Sequence, residues 1–351
     1  MQPILTLHDF FTRSGAQVRL YHMGRRLAPC SLDELAAFEA QQQPWPSPWQ
    51  GQARLACIFT LGDAEEPLIW FLSLPLDEQG YLVAAPRDAF IQRLLETLGH
   101  SVSTLGKEHQ VDNLMKDNPL AFAPSLQLQA MLHARANQDM DRPGSQYLEF
   151  AEDYLTGAQS DVPSEHQDDL QGNQWQALGL QGLADFATRH DTDQAHALAQ
   201  RLPRLPNEVL HSLCYCLEHV SLDAALIQAL RARGEQAASA GDIETFCACV
   251  RAMGASQDDS VGAWYGKLLD DSAACGPDLL AAIAARGWEH LEDAQRLPRY
   301  LERLAEQPSV DFTAMVKDLA LIPRLRLPLL MQLRDAPPDS PVGQRLAHLH
   351  H

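Results

Sequence analysis

The chain has 351 residues, enough for two domains or one extended repeat array, and its hydrophobic fraction of 46% is too high for a disordered protein. The formal net charge of −19 argues against a nucleic-acid backbone as the partner, because phosphate binding needs clustered Lys and Arg. Most of that charge, a net of −14 from 18 basic and 32 acidic residues, follows residue 120.

The start of the chain does not have the pattern of a signal peptide, because it lacks a basic segment and Asp9 interrupts its apolar stretch. The longest apolar run, around Ile69, is far shorter than the ~20 residues that cross a bilayer. The seven cysteines are an odd number without regular spacing, which is typical of reduced thiols. We therefore expect a cytoplasmic protein with no membrane segment.

Strand patterns are concentrated in the first third of the chain. The runs around Ile58–Phe59 and Ile69–Phe71 are apolar on both faces, which is typical of interior strands covered on both sides. An alternating pattern places Val18, Leu20 and His22 on one face of an earlier strand. The predicted strands are residues 15–24, 53–61, 67–75 and 81–86.

Helix patterns alternate with these strands. Ser31 followed by Glu34 forms a capping box, which predicts that a helix starts at that point. The predicted helices are residues 5–12, 31–41 and 87–99. The sequence therefore predicts an α+β domain over residues 1–120, with a small and largely antiparallel sheet.

A proline-rich crossing at residues 44–52 cannot be helical, because its three prolines remove backbone donors and favour extended geometry. It carries two tryptophans, Trp45 and Trp49. They either fix this crossing onto the sheet or form a surface patch that binds a partner.

From Ser125 onward the hydrophobic period is that of helices, and the pattern repeats. Apolar residues recur at offsets 1, 4, 5, 8 and 11 from shared helix starts, which step by 34, 34 and 69 residues. These starts are Gln174, Glu208, Asp242 and Asp311. About five helix pairs fit this spacing, so we predict an all-α, HEAT-like α-solenoid over residues 174–351 and a chain that is mostly helical overall.

Residues 121–173 are predicted to hold helices and an acidic linker between the two parts. Residues 139–172 contain nine carboxylates and a single arginine, a composition that predicts a solvated segment. This segment either attracts a basic partner or serves solubility alone. Together with the two tryptophans, it completes a candidate interaction surface of Trp45, Trp49, Asp161, Glu165, Asp168 and Asp169.

Two C-x-C pairs, Cys214/Cys216 and Cys247/Cys249, are the strongest candidates for metal ligands. Residues i and i+2 on a helix point about 200° apart, so neither pair can chelate an ion from one face. We interpret them as small core residues. The chain has no phosphate-binding glycine loop, nucleophile elbow or H-E-x-x-H motif, so we predict no catalytic residue, no metal and no cofactor.

Four motifs of the first hundred residues, in this order and spacing, resemble a bacterial family of uncharacterised proteins, domain-of-unknown-function family 3549. The motifs are LYHMGRR (20–26), SLDELAAFE (31–39), PWPSPWQGQARLACIF (44–59) and PLIWFLSLPLDEQG (67–80). The resemblance implies a cytoplasmic bacterial protein, and it assigns no catalytic or binding residue.

The two predicted parts favour a protein–protein interaction module or adaptor. Solenoids present much surface and few pockets, which favours binding over catalysis. The partner would be another protein, and neither nucleic acid nor a membrane. In the electrostatic version of this hypothesis, that protein carries a basic segment. The alternative is an enzyme of unassigned class with its pocket between the sheet domain and the solenoid.

Overall fold

The computed structural model of the protein describes residues 3–61, 66–100, 115–116, 118–157 and 178–348. The chain divides into two compact units. The first consists of Met1–Pro124 and Val316–Leu327, and the second of Ser125–Met315 and Pro328–His351.

The first unit is built on a four-stranded antiparallel sheet with the order β2-β1-β3-β4. Its strands are β1 (Gln17–Met23), β2 (Leu27–Cys30), β3 (Gln52–Thr60) and β4 (Leu68–Pro75). Leu20 of β1 lies opposite Cys30 on one side and Cys57 on the other. The α+β prediction for this part of the chain is therefore confirmed.

One strand predicted from the sequence was wrong, and one strand of the structure was not predicted. The strand expected at 81–86 is one bridge between Leu82 and Leu76, because the next helix already begins at Ala84. Pro86 suits this first turn, where its missing N–H leaves no helical hydrogen bond unmade. The short strand β2 was not predicted. It contains Pro29, which has no backbone N–H, and an edge strand can hold such a residue.

Between Met1 and Pro124 the structure gives the bounds of the helices α1 (Leu7–Arg13), α2 (Leu32–Glu39) and α3 (Ala84–His100). Phe10 and Phe11 of α1 pack with Trp70 of β4 and with Phe59 in an aromatic cluster buried to within 1% exposure. Such burial is worth roughly 1.5–3 kcal/mol per large apolar side chain, so this cluster forms the centre of the core.

Glu39 is a buried carboxylate that joins two helices of the unit. It accepts hydrogen bonds from the backbone N–H groups of Leu7 and His8, at 2.9 and 2.8 Å, and pairs with Arg87 at 2.8 Å. The first-turn N–H groups of α1 and the guanidinium together compensate the buried negative charge.

The second unit is helical. Its helices, together with the two that also contribute to the first unit, are α4 (Leu126–Asp139), α5 (Leu148–Thr156), α6 (Leu180–Arg189), α7 (Thr192–Arg201), α8 (Asn207–Leu217), α9 (Ala224–Ser239), α10 (Ile243–Met253), α11 (Asp259–Asp270), α12 (Pro277–Arg286), α13 (Arg296–Glu306), α14 (Phe312–Ala320), α15 (Pro323–Arg334) and α16 (Pro341–His348). Short 3-10 segments cover Leu202–Arg204 and Trp288–Glu292. The protein is 60% helical, which confirms the prediction of a mostly helical chain.

Helices α4, α6, α8, α10 and α12 pack one against the next in a row, and α5, α7 and α9 form a second row beside it. Hydrogen bonds join residues 34 positions apart in His211–Thr245, Leu222–Ser256 and Arg303–Leu269. The 34-residue spacing of the sequence therefore recurs as contact between neighbouring helices. Between residues 178 and 348 the structure describes no strand.

The sequence predicted one helical part over residues 174–351, and within that range Val316–Leu327 group with the first unit while remaining helical. Arg25, completely buried, donates from Nε to the carbonyl of Pro48 at 2.8 Å and pairs with the Asp318 carboxylate. The second oxygen of Asp318 accepts from the backbone N–H of Gln50 at 2.9 Å. A buried cation needs such a counter-charge, so Asp318 completes this part of the unit.

Among the described helices, none is both long and apolar enough to cross a membrane.

Candidate functional site

A groove of about 530 Å³ runs along the neighbouring helices α10 and α12. Small side chains form much of it: Cys247 of α10 and Ala281, Ala282 and Ala285 of α12. From Ile243 to Arg251, the lining of α10 extends about 12 Å along the helix axis. Ile243 is 49% exposed there, so an apolar side chain lies open to solvent at the groove. The groove can accept a narrow chain segment with small apolar groups.

Exposed carboxylates mark one end of the groove. Glu208, Glu244 and Asp278 each lie in the first turn of a helix in the same row, α8, α10 and α12 respectively. The first turns of α8 and α10 lie side by side, because Nδ1 of His211 is 3.5 Å from the Glu244 carboxylate. Glu244 and Asp278 both line the groove, so these carboxylates stand along one edge of the row. That edge attracts cations.

The other end of the groove carries a positive charge. Arg251 lines it and lies 3.5 Å from Glu218, a carboxylate that is only 2% exposed. Glu218 also pairs with Arg286 at 2.7 Å, so two guanidinium groups surround one buried carboxylate. This network fixes Arg251 at the groove, because an unpaired buried carboxylate would cost several kcal/mol. The groove is therefore polarised, with carboxylates at the helix N-termini and a guanidinium toward the C-termini.

Of the predicted interaction surface, the structure describes the two tryptophans. Trp45 is completely buried, with its ring centroid 4.8 Å from Phe38 and 4.6 Å from His22, so it fixes the proline-rich crossing and does not belong to an exposed patch. Trp49 is half-buried, and the Arg25 guanidinium lies 5.4 Å from its ring centroid. The predicted acidic members lie outside the described residues: Asp161, Glu165, Asp168 and Asp169.

The four cysteines of the C-x-C pairs are free thiols at most 5% exposed, on α8 and α10. Cys214 and Cys249, one from each pair, form a hydrogen bond that raises the pKa of the Cys214 thiol, and burial raises it further. Burial likewise raises the pKa of Cys247 to about 11. Thiols with raised pKa values are poor nucleophiles, and these small buried side chains act as packing residues in the row.

A group of metal-ligand side chains occurs instead in the first unit, where sequence reasoning did not place one. His22, Cys30 and Glu34 each present a donor atom within 4.8 Å of the other two. Among the described residues, no other three His, Cys, Asp or Glu side chains come together in this way. Nε2 of His22 is 3.0 Å from Oε1 of Glu34. The hydrogen bond from His22 holds the pKa of Glu34 below its usual value, against the opposing effect of burial.

A local signal for this group exists in the sequence. Cys30 directly precedes the capping residue Ser31, whose side chain accepts from the backbone N–H of Glu34 at 3.0 Å. A capped helix that follows a strand cysteine places its first-turn carboxylate near the end of that strand. The position of His22 could not be read in the same way, because the pairing of β1 with the unpredicted β2 determines it.

Comparisons with curated proteins and with solved structures gave no match. The family model of DUF3549, described as a protein of unknown function, matches residues 2–350. This range extends the resemblance seen in the first hundred residues to both units. The chain therefore belongs to the DUF3549 family.

Proposed function

We propose that the protein is a protein–protein interaction module whose second unit, an irregular HEAT-like α-solenoid, binds a basic segment of a partner protein along the α10–α12 groove. The observation that carries the proposal is the edge of exposed carboxylates on successive row helices, beside a groove lined by small side chains. A bacterial cytoplasmic setting belongs to the same proposal, and the seven free cysteines support it.

The polarity of the groove supports a particular binding direction. A Lys or Arg of the partner would pair with Glu244 and Asp278, and a carboxylate or C-terminal group would meet Arg251. Small apolar side chains on the partner would contact the alanines of α12. Exposed charge pairs contribute mainly to encounter rate and partner choice, so this binding should weaken as salt rises.

A charge-matched pair of variants tests the proposal. The edge variant is Glu208→Gln, Glu244→Gln, Asp278→Asn, and the control variant is Asp193→Asn, Asp259→Asn, Glu302→Gln. Both change the net charge from −19 to −16 (−19 + 3), and all six side chains are exposed. Each protein would be used to capture partners from a lysate of its source organism, followed by titration of the identified partner in purified form.

We expect the edge variant to bind the purified partner at least about tenfold more weakly, with a reduced salt dependence, while the control binds as the parent does. Each first-turn carboxylate also stabilises its own helix by about 0.3–1 kcal/mol, so thermal melts must accompany the titrations. Equal loss of binding in both variants would show that net charge alone matters. Unchanged binding in both would place the partner elsewhere on the protein.

A further inference from the structure

The group formed by His22, Cys30 and Glu34 is positioned by three adjacent elements of the first unit. His22 pairs with Ala28 and Leu20 pairs with Cys30, so His22 and Cys30 are diagonal neighbours on one face of the β1–β2 hairpin. The first turn of α2 follows directly and brings Glu34 to within 3.0 Å of the His22 ring. Residues spread over the chain by twelve positions thus present nitrogen, sulfur and oxygen donors to one point.

We propose that His22 Nε2, Cys30 Sγ and a carboxylate oxygen of Glu34 bind a zinc ion, with a fourth coordination position that opens toward an adjoining cleft. A tetrahedral zinc site with nitrogen, oxygen and sulfur ligands at about 2.0–2.3 Å has its donor atoms about 3–4 Å apart. The three donors here lie within 4.8 Å of one another, so side-chain movements of about 1 Å close the site.

The donor types select zinc over the common alkaline-earth ions. Calcium and magnesium prefer all-oxygen sites with six or more ligands. One thiolate, one imidazole and one carboxylate suit zinc or a similar late transition metal. Three protein ligands are also one fewer than closed structural zinc sites use, which leaves a position for water or for a ligand atom.

The surroundings hold the ligands in place and give access to the fourth position. The ring of His22 lies 4.6 Å from that of Trp45, and its Nδ1 is 3.5 Å from the Ser47 hydroxyl. A partner at Nδ1 fixes the imidazole and leaves Nε2 for a metal. Glu34 lines a cleft of about 370 Å³ together with Gln43, Pro44, Pro46 and Pro323. His22 and Cys30 are nearly buried, so this cleft is the route by which an ion would enter.

A competing explanation is that His22 and Glu34 form an ordinary ion pair beside a core cysteine. The test must therefore detect sulfur coordination directly. Cobalt(II) replaces zinc in such sites, and a thiolate ligand then gives a charge-transfer absorption in the near ultraviolet. This readout is independent of the histidines at the end of the chain, His348, His350 and His351, because that segment has no thiol.

The experiment would treat the chelator-stripped full chain with cobalt(II), then displace it with zinc, and count the bound metal by elemental analysis. The site variants are Cys30→Ser and Glu34→Gln. The matched control is Cys57→Ser, because Cys57 is a buried cysteine in the same row of the sheet, with Leu20 between it and Cys30. Circular dichroism would check that each variant is folded.

We expect one metal ion per chain, a charge-transfer band that is present in the parent and in Cys57→Ser, and its loss in Cys30→Ser. Loss of a residue that only hydrogen-bonds a metal ligand typically weakens metal binding about 10- to 100-fold, so we expect about tenfold weaker zinc binding in Ser47→Ala. Loss of a direct ligand should weaken zinc binding by more than this. Zinc should also raise the unfolding temperature of the parent and not that of folded Glu34→Gln. Absence of the band in the folded parent, or its persistence in folded Cys30→Ser, would overturn the proposal.

Discussion

Replacement of Asp318 by Asn is the sharpest test of how the first unit is held together. Asp318 offers one carboxylate oxygen to the guanidinium of Arg25 and the other to the backbone N–H of Gln50, at 2.9 Å. An Asn side chain keeps a single acceptor oxygen, so only one of these donors can be satisfied. Its amide N–H₂ group would then face the other donor.

The expected cost follows from burial. Breaking a fully buried ion pair by removing one partner costs about 3–5 kcal/mol, because the remaining charge is left uncompensated. The Arg25 side chain is 0% exposed, whereas that of Asp318 is 23% exposed. Solvent at Asp318 screens the ion pair and so reduces the cost of breaking it. We therefore expect Asp318→Asn to lower the free energy of unfolding by about 2–4 kcal/mol.

Urea unfolding followed by tryptophan fluorescence measures this loss, because three of the five described tryptophans, Trp45, Trp49 and Trp70, lie in the first unit. Far-ultraviolet circular dichroism follows the helices as a second probe. Asp335→Asn is the control, because Asp335 pairs with Arg334 at 2.8 Å but both side chains are at least 60% exposed. The control should lose less than about 0.5 kcal/mol. A cost below about 0.5 kcal/mol for Asp318→Asn would refute the assigned role of this pair.

Three further predictions concern the second unit and the thiols. Phe246→Ala should lower the free energy of unfolding by about 3–5 kcal/mol in a denaturant melt, because Phe246 is 3% exposed and packs edge-on against Trp264. A decrease under about 1 kcal/mol would contradict this packing. The backbone N–H of Thr245 holds the pKa of Asp242 below its usual value, so the stabilisation by this carboxylate is present above the unfolded-state pKa and is lost as pH falls through the lowered folded-state pKa. Asp242→Ala should therefore cost about 1 kcal/mol at neutral pH, and melts at acidic pH should find a smaller difference. All seven cysteines are buried, so Ellman's reagent should react with them only after denaturation, and rapid reaction of a native thiol would contradict their placement.

Features that depend on neighbouring residues were predictable from the sequence. Ser31 caps α2 as its spacing from Glu34 indicates, and the apolar stripe of α10 is buried from Phe246 to Met253. The 34-residue step was also accessible, because segments 34 positions apart lie against each other, as in the hydrogen bonds between His211 and Thr245 and between Leu222 and Ser256.

Features that depend on distant parts of the chain were not predictable in this way. The Arg25–Asp318 pair joins residues 293 positions apart, and neither residue belongs to a local motif. The metal-ligand group required the register of β1 against a strand that contains Pro29. Trp45 illustrates a further limit, because composition alone does not distinguish a tryptophan in a proline-rich surface loop from one that closes a core.

The return of residues 316–327 to the first unit has a consequence for the order of events during synthesis. A ribosome adds about 5–20 residues per second, so the 293 residues between Arg25 and Asp318 take about 15–60 s to make. Throughout that time the nascent first unit lacks the carboxylate that neutralises Arg25. Its final folding must therefore await nearly the whole chain, and a fragment that ends before residue 316 would remain in that unfinished state.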